Sequence, residues 1–176
     1  VAEGIKGNIY LYNYPDITGH DLKPQIILNL LKKHKNIVGC KDTISLISHT
    51  REIMNTVLPE FPDFEVYSGF DENFASVVLG GGAGVIGGLS NLMPELFADF
   101  VKAVGNKDFD KMAECQKIVN KAMRIYTINS PYIPVMKRAL NLRGLNISEY
   151  VTPPFIMPDE NQEKKLVDIM KDIGLL

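Results

Sequence analysis

The sequence of 176 residues contains no tryptophan, two cysteines and no surplus of positive charge. Its formal net charge is -2 and its pI is about 5.9, so nucleic acid is not expected as a partner. Cys40 and Cys115 lie far apart in the chain, which predicts a reduced, cytoplasmic protein without disulfides. The chain is 45% hydrophobic and 23% charged, a composition that excludes disorder and is typical of a folded globular protein.

Charge is also absent from residues 73–94, a stretch long enough on paper to cross a membrane. Six glycines interrupt it, however, and so many glycines disfavour a spanning helix. We therefore expect no membrane association, and we interpret the stretch as a buried strand flanked by glycine-rich turns. The run Gly80–Gly84 follows a predicted helix and enters a strand, whereas a dinucleotide-binding loop follows a strand and opens a helix.

Short runs of β-forming residues alternate with helical periods through the first part of the chain, a pattern that predicts a parallel sheet of four βα units. The predicted strands cover residues 8–12, 36–41, 64–68 and 84–87. Helices are predicted between them, beginning at Asp21, Ser45 and Asp71, with Asp21 as a candidate cap. Beyond Asn91 only helices are predicted, at residues 94–104, 108–126 and 130–143 and from a capping box formed by Asp159 and Gln162. The predicted domains are an α/β unit over residues 1–106 and a helical appendage over residues 107–176.

The working residues of parallel α/β folds gather at the carboxyl ends of the strands, and this rule selects Tyr12 and Lys41. Lys41 follows an apolar strand, and partial loss of water disfavours the charged form of an amine. Such a lysine can form a Schiff base with a ketone, while a neighbouring phenol moves the protons that this reaction requires. The alternative is structural: the Lys41 stem lies along the strand end and Tyr12 packs against its surroundings.

Other candidate sites carry weaker signals. The three histidines show no metal-ligand spacing, so no metal and no cofactor is expected, and carbon-carbon chemistry would use the amine. Asp71 and Glu72 follow the third strand, where they could bind substrate hydroxyls or place negative charge at a helix N-terminus. Both interpretations of these two carboxylates remain open.

Three segments carry a family resemblance: Tyr12-Asn13-Tyr14-Pro15, Gly39-Cys40-Lys41-Asp42-Thr43, and Tyr67-Ser68-Gly69-Phe70-Asp71. Their order and spacing resemble those of the dihydrodipicolinate synthase and N-acetylneuraminate lyase family of pyruvate-dependent class I aldolases. The resemblance implies the C-terminal half of a (β/α)8 TIM barrel, strands five to eight, followed by a helical appendage. It also implies a missing N-terminal half barrel, which would carry a loop that binds the pyruvate carboxylate. The 176-residue chain is therefore expected to be incomplete and inactive alone.

The same resemblance implies roles for individual residues. Lys41 matches the Schiff-base nucleophile and Tyr12 the proton-transferring phenol. Thr43, Gly69 and Ile86 match positions that line the substrate pocket, and Asp71 is a candidate contact for the hydroxyl tail of the substrate. A homo-oligomer is expected as well, because a second tyrosine of the family site comes across a subunit contact.

Departures from the family patterns narrow the expected substrate. Ile17 stands where synthases of the lysine pathway usually carry an arginine, and Asp42 and Gly88 differ from the residues typical of sialic acid lyases. The motifs are most similar to the 2-keto-3-deoxygluconate aldolase branch, so the predicted function is cleavage of a 2-keto-3-deoxy sugar acid to pyruvate and an aldehyde. The alternatives are a dihydrodipicolinate synthase or N-acetylneuraminate lyase and, from another class, a non-catalytic α/β ligand-binding module.

Overall fold

A computed structural model describes residues 1–176, and the chain divides into two compact units, Val1–Gly87 and Gly88–Leu176. The first unit holds all the strands, and the second is helical. The domain boundary that the sequence predicts after residue 106 lies within the second unit and stays a prediction.

The first unit contains the predicted parallel sheet, with the strands in the order of the sequence. Its strands are β1 (Ile9–Asn13), β2 (Ile37–Asp42), β3 (Glu65–Ser68) and β4 (Gly84–Val85). The register places Tyr12 opposite Lys41 and Lys41 opposite Tyr67. The four strands are thus confirmed, although β4 is shorter than the predicted run of residues 84–87.

Four α-helices connect or follow these strands: α1 (Pro15–Thr18), α2 (Pro24–Lys33), α3 (Ile47–Val57) and α4 (Phe74–Leu79). Apolar positions at helical spacing on α2 and α3 pack against one face of the sheet, because burial of this stripe drives the docking of an amphipathic helix. The resulting core contains buried side chains of the sheet and of both helices, among them Ile27, Leu31, Cys40, Ile53 and Val66.

Side chains alternate along a strand, so the residues between these core positions lie on the opposite face of the sheet. That face, here called the open face, carries Tyr10, Tyr12, Lys41, Glu65 and Tyr67. Helices α2 and α3 pack on the other face, and on the open face Tyr12 is 55% exposed.

One local prediction is wrong. Asp21 does not cap α2, since Lys23 occupies the N-cap position without a side-chain cap. Pro24 begins the helix, where the missing N–H of proline costs no intrahelical hydrogen bond and its fixed φ suits the first turn. The Asp21 carboxylate accepts hydrogen bonds from Lys23 and Asn13.

The second unit consists of five α-helices: α5 (Leu89–Leu92), α6 (Pro94–Asn106), α7 (Phe109–Ala122), α8 (Ile133–Leu142) and α9 (Glu160–Asp172). The predicted capping box is confirmed: Asp159 accepts from the backbone N–H of Gln162, whose side chain accepts from that of Asp159. A 3-10 helix, Met123–Thr127, replaces the end of the predicted helix over residues 108–126. None of the helices combines the length and the hydrophobicity that crossing a membrane requires.

Candidate active site

Lys41 and Tyr12 meet at the carboxyl ends of β1 and β2. The Lys41 Nζ atom donates a hydrogen bond of 3.3 Å to the Tyr12 hydroxyl and lies 4.4 Å from the centroid of its ring. Lys41 is half-buried. The two side chains that the sequence selects therefore occupy the same face of the sheet and are paired, as a nucleophile and a proton-transferring phenol must be.

The neighbouring tyrosine of the motif packs against the Tyr12 ring. Tyr14 stacks on Tyr12 with 6.0 Å between ring centroids and an interplanar angle of 29°. Such an offset stack restricts the orientation of the phenol. The stack on Tyr14 and the hydrogen bond from Lys41 together restrict the Tyr12 side chain.

Thr43 and Gly69 touch one step beyond the strand ends. The backbone ladder continues there, with the Thr43 N–H donating to the Asn13 carbonyl at 2.8 Å and the Gly69 N–H to the Asp42 carbonyl at 2.8 Å. A Cβ atom on Gly69 would lie 2.0 Å from Thr43 Oγ1, so only glycine leaves room for this hydroxyl. Thr43 Oγ1 is buried and has no hydrogen-bond partner in the chain, which leaves it available to a ligand.

Asp71 and Ile86 lie at the ends of β3 and β4, in contrasting environments. Asp71 is 1% exposed, and a Cβ atom on Gly87 would lie 2.0 Å from its Oδ1 atom, so the carboxylate rests against that glycine. The Ile86 side chain is 48% exposed, and its N–H donates to the Ser68 carbonyl at 2.9 Å. Burial raises the pKa of the neighbouring Glu72 carboxyl. Asp71 thus shapes the loop after β4, while Ile86 presents an apolar surface.

The asparagine and aspartate of the two motifs bind each other behind the reacting pair. Asn13 Nδ2 donates to Asp42 Oδ1 at 2.8 Å, and Thr50 of α3 donates to Asp42 Oδ2 at 2.7 Å. Asp42 is fully buried, so these hydrogen bonds replace the water that its charge has lost. This buried network ties the end of β1 to the end of β2 and to α3.

His49 extends the buried network to a second carboxylate. Its Nδ1 atom lies 3.0 Å from Asp42 Oδ2, and its Nε2 atom lies 3.2 Å from Asp21 Oδ1. Burial acts to raise the pKa of Asp21, but hydrogen bonds from Lys23 and Asn13 and the charge of His49 lower it overall. The sequence analysis did not predict this network, although alternation of Asp42 with Lys41 already predicts that the two side chains point to opposite faces of the sheet.

A second polar cluster lies on the open face, beside Lys41. Tyr10 and Tyr67 both donate to Glu65 Oε2, at 2.6 and 2.8 Å. These hydrogen bonds lower the pKa of Glu65, raise that of Tyr10, and raise the pKa of Tyr67 to about 12. We call Tyr10, Glu65 and Tyr67 the tyrosine-carboxylate cluster. Tyr67 belongs to one of the family motifs, but the cluster was not predicted from the sequence, because its members come from β1 and β3, which are not adjacent in the sheet.

Comparison with known proteins agrees with this geometry. A sequence model of the dihydrodipicolinate synthetase family matches residues 1–173. The chain belongs to that family. It is 32% identical over 176 residues to a probable 2-dehydro-3-deoxy-D-pentonate aldolase of Escherichia coli (strain K12), a match that covers 100% of this chain and 58% of the relative.

Other members of the dihydrodipicolinate synthetase family give the same result. A crystal structure of a prophage protein of this family from Escherichia coli K12, in complex with pyruvate, superposes with a TM-score of 0.96 at 31% identity, over 99% of this chain and 59% of that one. A 4-hydroxy-tetrahydrodipicolinate synthase of Hydrogenobaculum sp. (strain Y04AAS1) is 31% identical over 100% of this chain and 59% of the relative.

The chain therefore spans less than two thirds of the length of these relatives. Its parallel sheet and helices match the C-terminal half of the family fold, which confirms the predicted fold class. The roles of Lys41, Tyr12, Thr43, Gly69, Asp71 and Ile86 stay predictions.

Proposed function

We propose that this chain is the Schiff-base-carrying part of a class I aldolase that cleaves a 2-keto-3-deoxy sugar acid to pyruvate and an aldehyde. The observation that carries the proposal is the contact of 3.3 Å between Lys41 Nζ and the Tyr12 hydroxyl at the ends of adjacent strands. The similarity to a probable 2-dehydro-3-deoxy-D-pentonate aldolase supports the substrate class.

The proposed reaction begins when the Lys41 amine attacks the C2 ketone of the substrate. The resulting carbinolamine loses water and becomes an iminium, which withdraws electrons from the C3–C4 bond. Tyr12 relays the proton from the C4 hydroxyl, the C3–C4 bond breaks, and the aldehyde leaves. The remaining enamine takes a proton at C3, and hydrolysis releases pyruvate and the free amine.

The other predicted residues would bind the substrate. The buried, unpartnered Thr43 hydroxyl is suited to a hydrogen bond with a substrate oxygen, and Gly69 leaves the space in which it stands. Ile86 would contact the carbon chain of the substrate. Asp71 would bind the hydroxyl tail of the substrate directly or position the loop after β4 that binds it. We further propose a cytoplasmic homo-oligomer whose barrel is completed by an N-terminal half carrying the carboxylate-binding loop.

The decisive experiment is borohydride reduction of the full-length protein in the presence of pyruvate, followed by peptide mass mapping. We expect one pyruvate-derived mass increment, on Lys41. Lys41→Arg should abolish the increment, whereas Lys33→Arg, on an exposed position of α2, should leave it unchanged. Modification of another lysine, or of none, would remove the proposed mechanism and favour a non-catalytic ligand-binding module.

A second candidate is dihydrodipicolinate synthesis, which the similarity to a 4-hydroxy-tetrahydrodipicolinate synthase favours. It would begin with the same pyruvate imine, so trapping alone does not separate the two functions. Turnover of 2-keto-3-deoxygluconate, N-acetylneuraminate, and pyruvate with aspartate semialdehyde should be compared in the same preparation. We expect the sugar acid to be the best substrate.

A further inference from the structure

Lys41 has a tyrosine beside it on each neighbouring strand. Tyr12 of β1 and Tyr67 of β3 are both register partners of Lys41, and adjacent strands lie about 5 Å apart. Either phenol therefore starts from a position next to the amine. Only the Tyr12 hydroxyl is paired with it, whereas the Tyr67 hydroxyl donates to Glu65.

A single carboxylate oxygen of Glu65 accepts hydrogen bonds from two phenols, those of Tyr10 and Tyr67. Tyr10 crosses β2 to reach it, and the crossing is possible because residue 39 is glycine: a Cβ atom there would lie 2.4 Å from the Tyr10 ring. The Tyr10 and Tyr67 rings lie 6.3 Å apart, centroid to centroid. The tyrosine-carboxylate cluster therefore spans three strands and fixes the Tyr67 ring.

The charge of Glu65 also strengthens the hydrogen bond that it accepts from the Tyr67 hydroxyl. Hydrogen bonds from phenols to a carboxylate are charge-assisted and stronger than neutral ones. The hydrogen bond to Glu65 raises the pKa of Tyr67 to about 12, so this phenol holds its proton more tightly than an ordinary tyrosine does. Tyr12 makes no such bond to a carboxylate among its described contacts.

We propose that Glu65 is a positioning residue, which holds the Tyr67 hydroxyl away from Lys41 so that the amine pairs with Tyr12 alone. This inference rests on the proposed Schiff-base function. Without the Glu65 carboxylate, the Tyr67 hydroxyl loses its acceptor and becomes free to turn to the amine of Lys41, its register partner on β2. The amine then divides between two phenols, of which only Tyr12 is oriented for proton transfer by its stack on Tyr14.

The test compares three variants of the full-length protein: Glu65→Leu, Tyr67→Phe and the double variant. The measured quantity is the rate at which pyruvate becomes trapped on Lys41 by borohydride. Glu65→Leu should slow trapping by about three- to tenfold, the factor that one net hydrogen bond is worth. Tyr67→Phe should stay within about twofold of wild type, because the lost hydroxyl does not serve the reaction. The double variant should recover to within about twofold, because no phenol remains to compete.

Recovery in the double variant separates positioning from a structural role. A cluster that merely stabilised the fold would be damaged further by the second substitution. Equal trapping in Glu65→Leu and wild type, or a double variant as slow as Glu65→Leu, would overturn the inference. Should Glu65→Leu fail to fold, Tyr67→Phe alone decides: a trapping rate about tenfold or more below that of wild type would also overturn the inference.

Two controls complete the design. Glu52→Gln removes an exposed carboxylate of α3 and should leave the trapping rate unchanged. Wild-type protein must be modified on Lys41 for the comparison to apply, so failure of the proposed function appears in the wild type, whereas failure of this inference appears only in the variants.

Discussion

Thr43 and Thr50 are the same residue type in two different situations. Both are buried and both follow Lys41 closely in the sequence. The Thr50 hydroxyl donates to Asp42 at 2.7 Å, whereas the Thr43 hydroxyl has no partner. A buried hydroxyl without a partner costs stability, and the proposed substrate would supply the missing partner of Thr43. Stability and activity should therefore respond in opposite ways at the two positions.

Valine substitutions test this contrast, because valine keeps the shape of threonine and removes its hydroxyl. Thr43→Val should leave the free energy of unfolding within about 0.5 kcal/mol of wild type and raise the KM for the sugar acid by about tenfold, equivalent to about 1.4 kcal/mol of binding. Thr50→Val should instead lower the free energy of unfolding by about 1–3 kcal/mol, because it leaves Asp42 short of a donor.

Denaturant unfolding and steady-state kinetics of the full-length protein measure both quantities. The opposite result would contradict the assignment of Thr43 to the substrate. In that case Thr43→Val would be the less stable variant, and Thr50→Val would have the raised KM.

At the scale of elements, the tyrosine-carboxylate cluster joins strands that share no ladder. Tyr10 belongs to β1 and Glu65 and Tyr67 to β3, with β2 between them. Main-chain hydrogen bonds link only neighbouring strands, so this side-chain contact adds a tie across the open face. Its strength depends on the phenols remaining protonated.

This dependence predicts a loss of stability at alkaline pH. The pKa of Tyr67 is about 12 in the folded chain, above the ordinary value of 10.0, because the phenol donates to Glu65. The native state thus holds the proton more tightly, and this contribution is complete below pH 10 and disappears as the pH rises from 10 to about 12. Tyr67→Phe should lose the contribution, so its unfolding midpoint should fall less than that of wild type across this interval. Tyr150→Phe, on an exposed ring, should follow wild type.

The elements themselves were largely predictable from the sequence, because burial and period decide them locally. Apolar β-forming runs predicted β1, β2 and β3. The capping box of Asp159 and Gln162, three residues apart, predicted the start of α9. The cap of α2 was mispredicted because the Asp21 carboxylate accepts hydrogen bonds from Lys23 beside it and from Asn13 at the end of β1. Local propensity does not include such tertiary partners.

The candidate site was also predictable only in part, because the sequence does not show which residues of distant strands bind each other. Position at a strand end selected Tyr12 and Lys41, since a parallel sheet brings its carboxyl ends together. Glu65 escaped notice because alternation along β3 reveals which face it occupies but not which strands supply its partners. Those partners follow from the register, which sets Gly39 opposite Glu65 and opens the path for Tyr10.

At the scale of the whole molecule, β1 and β4 are the outer strands of the sheet, each paired on one side only in this chain. Unpaired edges of a parallel sheet are normally covered, and family relatives are longer than this chain. The proposed N-terminal half barrel would cover both edges.

We therefore expect the purified 176-residue chain to show no turnover of 2-keto-3-deoxygluconate. Co-expression with the N-terminal half barrel should restore activity, because the two halves would pair at both edges and bring the carboxylate site to Lys41. Complementation with Lys41→Arg in the same chain should remain inactive and serves as the control. Clear turnover by the 176-residue chain alone would contradict this expectation.

The position of the tyrosines has a practical consequence for spectroscopy. The chain has seven tyrosines, eight phenylalanines and no tryptophan, so its near-ultraviolet absorption and emission come chiefly from tyrosine. Four of the seven tyrosines, Tyr10, Tyr12, Tyr14 and Tyr67, lie in the site or stack on it. We therefore expect binding at the site to change the tyrosine absorption or emission of this chain, a signal that needs no attached dye.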